Sequence, residues 1–207
     1  MSHADPAEGA PRRVGIMGGT FDPIHHGHLI AAEEARLSFE LDFVLFVPTG
    51  DPWQKQERDV TSSEDRYLMA VIATASNPYF HVDRVEIERR GQTYTIDTLR
   101  ELRTRFGPKT ALFFITGADA ILQILTWKDP EEVLDLATFI AATRPGSDLA
   151  DIEALGQEVL ARVEYLRIPA LAISSTEIRD RVATGHPIRY LVPDSVAQYV
   201  SKRGLYS

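Results

Sequence analysis

Apolar positions follow two rhythms along this chain. Short unbroken apolar runs alternate with longer segments in which apolar residues recur at helical spacing. The unbroken runs cover residues 14–17, 43–47, 111–116, 138–143 and 163–168. Such runs, rich in Val, Ile and Phe, fit strands of a parallel sheet covered on both faces. Residues 80–88 alternate instead, with His81, Asp83 and Glu86 set among Val82, Val85 and Ile87. They predict a further strand with His81 at its surface. Between the runs the spacing predicts helices. The first covers residues 28–41, with small Ala31, Ala32 and Ala35 packing close to a sheet and Glu33, Arg36 and Glu40 on a solvated face. A second opens at Ser63 and turns Tyr67, Ala70, Val71 and Thr74 inward; a third carries Ile96, Leu99, Leu102 and Phe106. Residues 148–163 form an acidic outer helix, Ile178 and Val182 face inward from another, and Val196, Tyr199 and Val200 dock a last one.

Capping residues mark several helix starts. Thr95 reads as an N-cap, Ser174 and Glu177 have capping-box spacing, and Asp194 caps the last helix. Asp129 precedes Pro130, with Glu132 completing a second box. Strands alternating with helices predict an α/β fold: an open, mostly parallel sheet with helices on both faces, in one domain over residues 13–207. Residues 1–12 are polar, with Pro, Gly and Ala, and read as a disordered tail lacking the apolar centre of a secretory signal.

Composition changes this picture mainly by exclusion. The chain has 207 residues, 44% hydrophobic and 25% charged, enough for one domain with a continuous core. A net charge of −8 argues against a nucleic-acid or anionic-membrane footprint, so any triphosphate site must concentrate positive charge locally. Cysteine is absent, which removes disulfides and thiolate metal sites. No apolar run approaches the ~20 residues of a membrane span, and a cytoplasmic location is expected.

The densest chemistry lies in residues 18–28, Gly-Gly-Thr-Phe-Asp-Pro-Ile-His-His-Gly-His. A Gly-rich turn between a strand and a helix start suits phosphate, because the backbone approaches closely and the first amides of the helix favour negative charge. The spacing is neither the dinucleotide G-x-G-x-x-G nor the Walker G-x-x-x-x-G-K-[ST]. What remains is His25-x-Gly27-His28. The Ser174-Ser175-Thr176-Glu177-Ile178-Arg179 stretch is the second strong site. There hydroxyls, helix amides and the Arg179 guanidinium converge, as a polyphosphate would require.

Other candidates sit where predicted strands end, the edge at which open α/β sheets bind ligands. Gly117 permits close backbone approach, and Asp119 suits ribose hydroxyls. Lys55, in the polar stretch after Pro48, either meets a substrate phosphate or is simply solvated. Trp53 nearby is a lid residue or a packing anchor. Trp127 stacks on a flat ring or only packs. Thr95 receives a carboxylate or only caps its helix. Arg144 delivers planar donors suited to phosphate.

Taken together, residues 18–28, the Ile-Ser-Ser-Thr-x-Ile-Arg stretch of residues 173–179, residues 48–55, Tyr94-Thr95-Ile96-Asp97-Thr98-Leu99, Gly117-Ala118-Asp119 with Trp127, and Arg144-Pro145-Gly146 resemble the bacterial nicotinate-nucleotide adenylyltransferases. The likeness extends over essentially the whole chain after Arg13. It implies a Rossmann-like nucleotidyltransferase domain. It also implies an enzyme that uses ATP and nicotinate mononucleotide to make nicotinate adenine dinucleotide and pyrophosphate, in NAD biosynthesis. By the same resemblance His25, His28 and Arg179 are catalytic. Gly18, Gly19, Thr20, Phe21, Gly117, Asp119, Ser174, Ser175 and Arg179 bind ATP. Lys55, Thr95, Ile96, Trp127, Lys128 and Arg144 bind the mononucleotide, Trp127 against the pyridine ring and Thr95 with nearby amides at its carboxylate. Mg²⁺ is implied, held mainly through ATP phosphates and water rather than by protein ligands. A homo-oligomer is compatible with the resemblance; nucleic acid and membrane are not expected partners. One departure concerns the family's Pro-His-Lys, which here reads Pro52-Trp53-Gln54-Lys55. The rival readings are a pantetheine-phosphate or nicotinamide-preferring relative, a His-rich metal module, and a non-catalytic nucleotide-binding regulator.

Overall fold

The unbroken apolar runs become the strands of one parallel sheet. The computed structural model describes residues 12–50, 60–143, 155–169 and 172–207. Its strands are β1 (Arg13–Gly19), β2 (Phe43–Pro48), β3 (Phe80–Val82), β4 (Ala111–Gly117), β5 (Thr138–Thr143) and β6 (Val163–Arg167). They are hydrogen-bonded in the order β3-β2-β1-β4-β5-β6, every neighbouring pair parallel. This is the doubly wound, Rossmann-like order, in which the chain reverses direction across the sheet between β1 and β4.

Register explains why the strands are apolar throughout. Ile16 lies opposite Leu45 and Phe114, and all three enter the core on one face. Met17, the next residue, lies opposite Phe46 and Ile115, and these enter the core on the other. Side chains alternate with period two, so a sheet packed on both sides needs apolar residues at both parities. Helices α1 (His26–Ser38), α2 (Ser63–Thr74), α7 (Ser175–Ala183) and α8 (Asp194–Arg203) contribute to the first core, and α3 (Thr95–Phe106), α4 (Ala118–Ile121), α5 (Pro130–Leu136) and α6 (Gln157–Leu160) to the second. Ala31, Ala32 and Ala35 of α1 are buried against the sheet. Ile96, Leu99 and Leu102 form the wholly buried stripe of α3.

Several local expectations are corrected. The strand over residues 80–88 stops at Val82, because the Asp83 carboxylate accepts the Val85 N–H at 2.8 Å and turns the chain out of the ladder. The first helix begins at His26 and ends at Ser38, rather than spanning residues 28–41. Thr95 is the first helical residue, and Tyr94 occupies the cap position. Asp129 does hold the cap position of α5, but its side chain makes no capping bond, and Glu132 pairs with the Arg100 Nε at 2.8 Å instead. Pro193, not Asp194, precedes α8. Of residues 148–163, the helical part among the described residues is α6. The tail proposed for residues 1–12 lies, up to residue 11, outside the described residues.

The inward face of α2 also departs from expectation. Asp65, Arg66, Met69, Ala70, Ala73 and Thr74 are buried, whereas Tyr67 and Val71 are half-buried. Charged residues can occupy this face because each finds dedicated partners. The Asp65 carboxylate accepts from Ser62 Oγ at 2.6 Å, Tyr199 Oη at 2.7 Å and Arg203 Nε at 3.2 Å, which ties α8 to α2. The Ser62 hydrogen bond leads the interactions that hold the Asp65 carboxyl below the usual carboxylate range. A folded pKa below the unfolded one adds stability above the unfolded value, about 3.9, and that stability is lost as pH falls through the folded value. Asp65→Asn should therefore lower stability at neutral pH, by about 1.5–3 kcal/mol for the charged hydrogen bonds lost. The deficit relative to the parent should shrink as pH is lowered below about 4, as read from urea midpoints across pH.

Candidate active site

β1 ends at Gly19, and the chain passes through Thr20, Phe21, Asp22, Pro23 and Ile24 before His25 caps α1 in an extended conformation (φ −146°, ψ 170°). Phe21 adopts a left-handed backbone (φ 51°) and is almost wholly buried. Its ring meets the His28 ring edge-on at 5.1 Å and leans on Phe46 at 5.9 Å. Phe21 thus supports the loop from beneath rather than lining the cleft above it. The His25 and His28 rings stack with centroids 3.7 Å apart and planes 24° apart. His25 N–H donates to His28 Nδ1 at 3.2 Å. A neutral His28 with an accepting Nδ1 carries its proton on Nε2, as a donor. Gly27 lies close under one of these rings: a Cβ there would stand 3.0 Å from the His25 ring, which would have to shift by a few tenths of an ångström.

The distant Ser-Ser-Thr stretch closes on this loop. Ser174 caps α7 by accepting the Glu177 N–H at 3.1 Å. Ser175 Oγ donates to the Pro23 carbonyl at 2.9 Å. Arg179 Nη1 donates to the Asp22 carbonyl at 2.7 Å, and Nη2 to Thr176 Oγ1 at 3.0 Å. Both ends of the chain therefore meet at one loop, with Arg179 anchored on its backbone. A third contact comes from beyond α8, where Tyr206 Oη donates to the buried Asp22 carboxylate at 2.7 Å. Burial, then the Asp22 charge, pushes the Tyr206 phenol above its ordinary value.

Two clefts open here. One, of about 560 Å³, is walled by Gly18, His25, Gly27 and His28, by Gly117 at the end of β4 and Asp119 after it, and by Ser174 and Ser175. The other, of about 320 Å³, is walled by Gly18, Gly19, Thr20, Thr95, Trp127 and Lys128, with Glu86 and Thr93 behind. They share Gly18 and Thr116, at the ends of β1 and β4. That is the point at which strand order reverses and α/β sheets take ligands. In the second cleft the Trp127 indole is half-buried and meets Phe114 and Phe139 edge-on at 6.1 and 6.2 Å. Lys128 Nζ lies 4.7 Å from the Tyr94 ring centroid and 3.5 Å from the Asp97 carboxylate. The Ile96 side chain is wholly in the core, so only its backbone is placed at the helix start. Lys55, Trp53 and Arg144 lie outside the described residues.

Residues 16–181 match the family model described as cytidylyltransferase-like. A protein of Acidothermus cellulolyticus named "Probable nicotinate-nucleotide adenylyltransferase" is 58% identical over 202 residues, covering 96% of each chain. A protein of the same name from Leifsonia xyli subsp. xyli is 62% identical over 194 residues, covering 94% of each. The chain belongs to the cytidylyltransferase-like family, in its nicotinate-nucleotide adenylyltransferase branch. Among solved structures, the Plasmodium falciparum nicotinic acid mononucleotide adenylyltransferase complexed with NaAD superimposes with a TM-score of 0.77 at 20% identity. It matches 94% of this chain and 97% of that one, which shows a shared fold.

Among the described residues no group of three or more His, Cys, Asp or Glu is arranged to hold a metal ion. None of the described helices is long and apolar enough to cross a membrane. Sequence reasoning missed Asp22, Arg66, Glu86 and Tyr206. Asp22 and Arg66 look like ordinary polar loop and helix-start residues respectively, Glu86 like an outward position of an alternating strand, and Tyr206 like a fraying end. Tyr206→Phe should leave the buried Asp22 carboxylate short of one donor and lower stability by about 1.5–3 kcal/mol, measured by urea denaturation.

Proposed function

We infer that this protein transfers the adenylyl group of ATP to nicotinate mononucleotide, forming nicotinate adenine dinucleotide and releasing pyrophosphate, as a step of NAD biosynthesis. The observation that carries this reading is the meeting of two chemically different clefts at Gly18 and Thr116. One presents imidazoles, hydroxyls and a helix start, which suit a triphosphate. The other presents an indole and the first amides of α3, which suit an aromatic ring bearing a carboxylate.

In this reading Gly18, Gly19 and Thr20 border ATP, with Phe21 supporting them. His25, His28, Ser174, Ser175 and Arg179 serve the phosphates, and Gly117 and Asp119 the adenosine. Trp127 stacks on the pyridine ring, while Thr95 and the amides near Ile96 and Lys128 receive the carboxylate. Lys55 and Arg144 meet the mononucleotide phosphate. A mononucleotide phosphate oxygen attacks the α-phosphorus in line. The bond from that phosphorus to the bridging oxygen breaks, and pyrophosphate leaves with the electron pair. The acceptor is already an anion, so no protein nucleophile is needed. The protein brings two repelling anions together and supplies fixed donors where charge accumulates. His28 Nε2–H is one such donor, held by its Nδ1 contact with the His25 amide. Mg²⁺ bound with the triphosphate would neutralise further charge, with phosphates and water as its main ligands. The catalytic unit is taken as one domain over residues 13–207, working in the cytoplasm, with a homo-oligomer open to test.

A pyrophosphate-release assay with each pyridine mononucleotide tests the reading. Nicotinate mononucleotide should support faster turnover than the nicotinamide form. Equal or reversed preference would move the assignment to a nicotinamide-using relative, and release without any mononucleotide would remove the transfer reaction. His28→Ala should lower turnover about 10²–10³-fold while keeping the parental circular dichroism spectrum. Parental turnover in that variant would take His28 out of the chemistry.

A further inference from the structure

Two buried charged side chains beside the clefts, one of them lining the second, are assigned no step of the transfer itself. Arg66 is 1% exposed and Glu86 is 8% exposed. Arg66 spends its guanidinium on backbone carbonyls: Nε donates to Thr61 at 2.9 Å, Nη1 to Thr20 at 2.8 Å and Nη2 to Gly50 at 2.8 Å. Thr20 belongs to the loop after β1, and Gly50 follows β2. A buried guanidinium keeps its charge, and its donors are satisfied only while all its acceptors hold position. It therefore fixes the spacing of those two strand ends.

Glu86 grips the same glycine from the other side. Its carboxylate accepts from Thr98 Oγ1 at 2.7 Å and from the Thr93 hydroxyl and the Gly50 backbone N–H. Arg89 Nη1 in turn donates to Thr98 Oγ1 at 3.0 Å. Gly50 is packed against the backbone of Glu86, where an added Cβ would stand 2.1 Å from the Glu86 carbonyl oxygen. Glu86, Thr93 and Thr95 line the second cleft, and Thr98 lies one turn along α3 from Thr95. The contacts form a continuous chain: the phosphate loop, Arg66, Gly50, Glu86 and the start of α3.

We propose that Arg66 and Glu86 are positioning residues that act through Gly50, holding the mononucleotide cleft at a set distance and angle from the ATP loop. The proposal rests on the adenylyl-transfer reading and adds how its two half-sites are kept in line. In-line attack tolerates little error in the approach of the two phosphates, so a buried strut between the loops that carry them is a direct way to preserve it. Glu86 governs the α3 side, so its loss acts mainly on the mononucleotide. Arg66 reaches both loops, so its loss acts on both substrates.

The test combines steady-state kinetics of the full chain with hydrogen–deuterium exchange of the substrate-free protein. Glu86→Gln keeps the volume but removes an acceptor; it should raise KM for nicotinate mononucleotide about tenfold and KM for ATP less than about twofold. Exchange should quicken at residues 93–98 and stay at the parental rate in α7. Arg66→Lys, whose single ammonium cannot span three carbonyls, should raise both KM values. Thr98→Val, nearly isosteric, should shift the mononucleotide KM in the same direction and serves if Glu86→Gln does not fold. The proposal is overturned by a parental mononucleotide KM in a folded Glu86→Gln or Thr98→Val protein. It is equally overturned if Glu86→Gln or Thr98→Val raises both KM values together, with faster exchange throughout the sheet. Absence of nicotinate-dependent pyrophosphate release in the parent would sink the transfer reading instead, and the exchange pattern would still decide whether the strut exists.

Discussion

The site depends on how one loop is held. Residues 18–28 leave a strand, turn and start a helix, and such a segment would wander if only its own backbone restrained it. It is instead grasped through its carbonyls and its carboxylate. Ser175 takes the Pro23 carbonyl, Arg179 the Asp22 carbonyl, Arg66 the Thr20 carbonyl, and Tyr206 the Asp22 side chain. With its carbonyls drawn back by these donors, the loop can offer N–H groups and imidazoles to the cleft. A phosphate site needs that polarity, donors forward and acceptors withdrawn.

The parallel sheet makes this grip possible. Because β1 and β4 are adjacent and the connections leave in opposite directions, a crevice forms at their C-terminal ends without any dedicated wall. The cores on the two faces are separate sets of side chains, and each supplies one side of that crevice. Helices α1 and α7 bring the imidazoles and hydroxyls of the first cleft, and the start of α3 with Trp127 brings the backbone amides and indole of the second. The net charge of −8 is no obstacle, since the anionic ligand would meet local donors rather than the average field.

Buried charge plays a structural part here. Asp65 and Arg66 are neighbours on α2, yet one docks α8 and the other spans the strand ends. Both would be costly if unpaired, and both are surrounded by partners from distant parts of the chain. They specify relative position more sharply than apolar contacts do, because hydrogen bonds have direction.

Much of this was legible without coordinates. The five apolar runs and the helical spacing between them determined an α/β parallel architecture, because a strand covered on both faces leaves an unmistakable trace. The glycines and histidines of residues 18–28, and the Ser174 cap, singled out the two stretches that the fold brings together at one loop. Local competition was harder to read. Asp83 ended β3 early by bonding to its own backbone neighbourhood, and Thr95 ceded the cap position to Tyr94. Only the folded chain decided the rest: that Phe21 supports and does not line, that Arg179 reaches the Asp22 carbonyl, and that Arg66 and Glu86 meet at Gly50. These contacts join residues far apart in the chain through polar atoms, and polar side chains carry no periodic signature of the partner they will find.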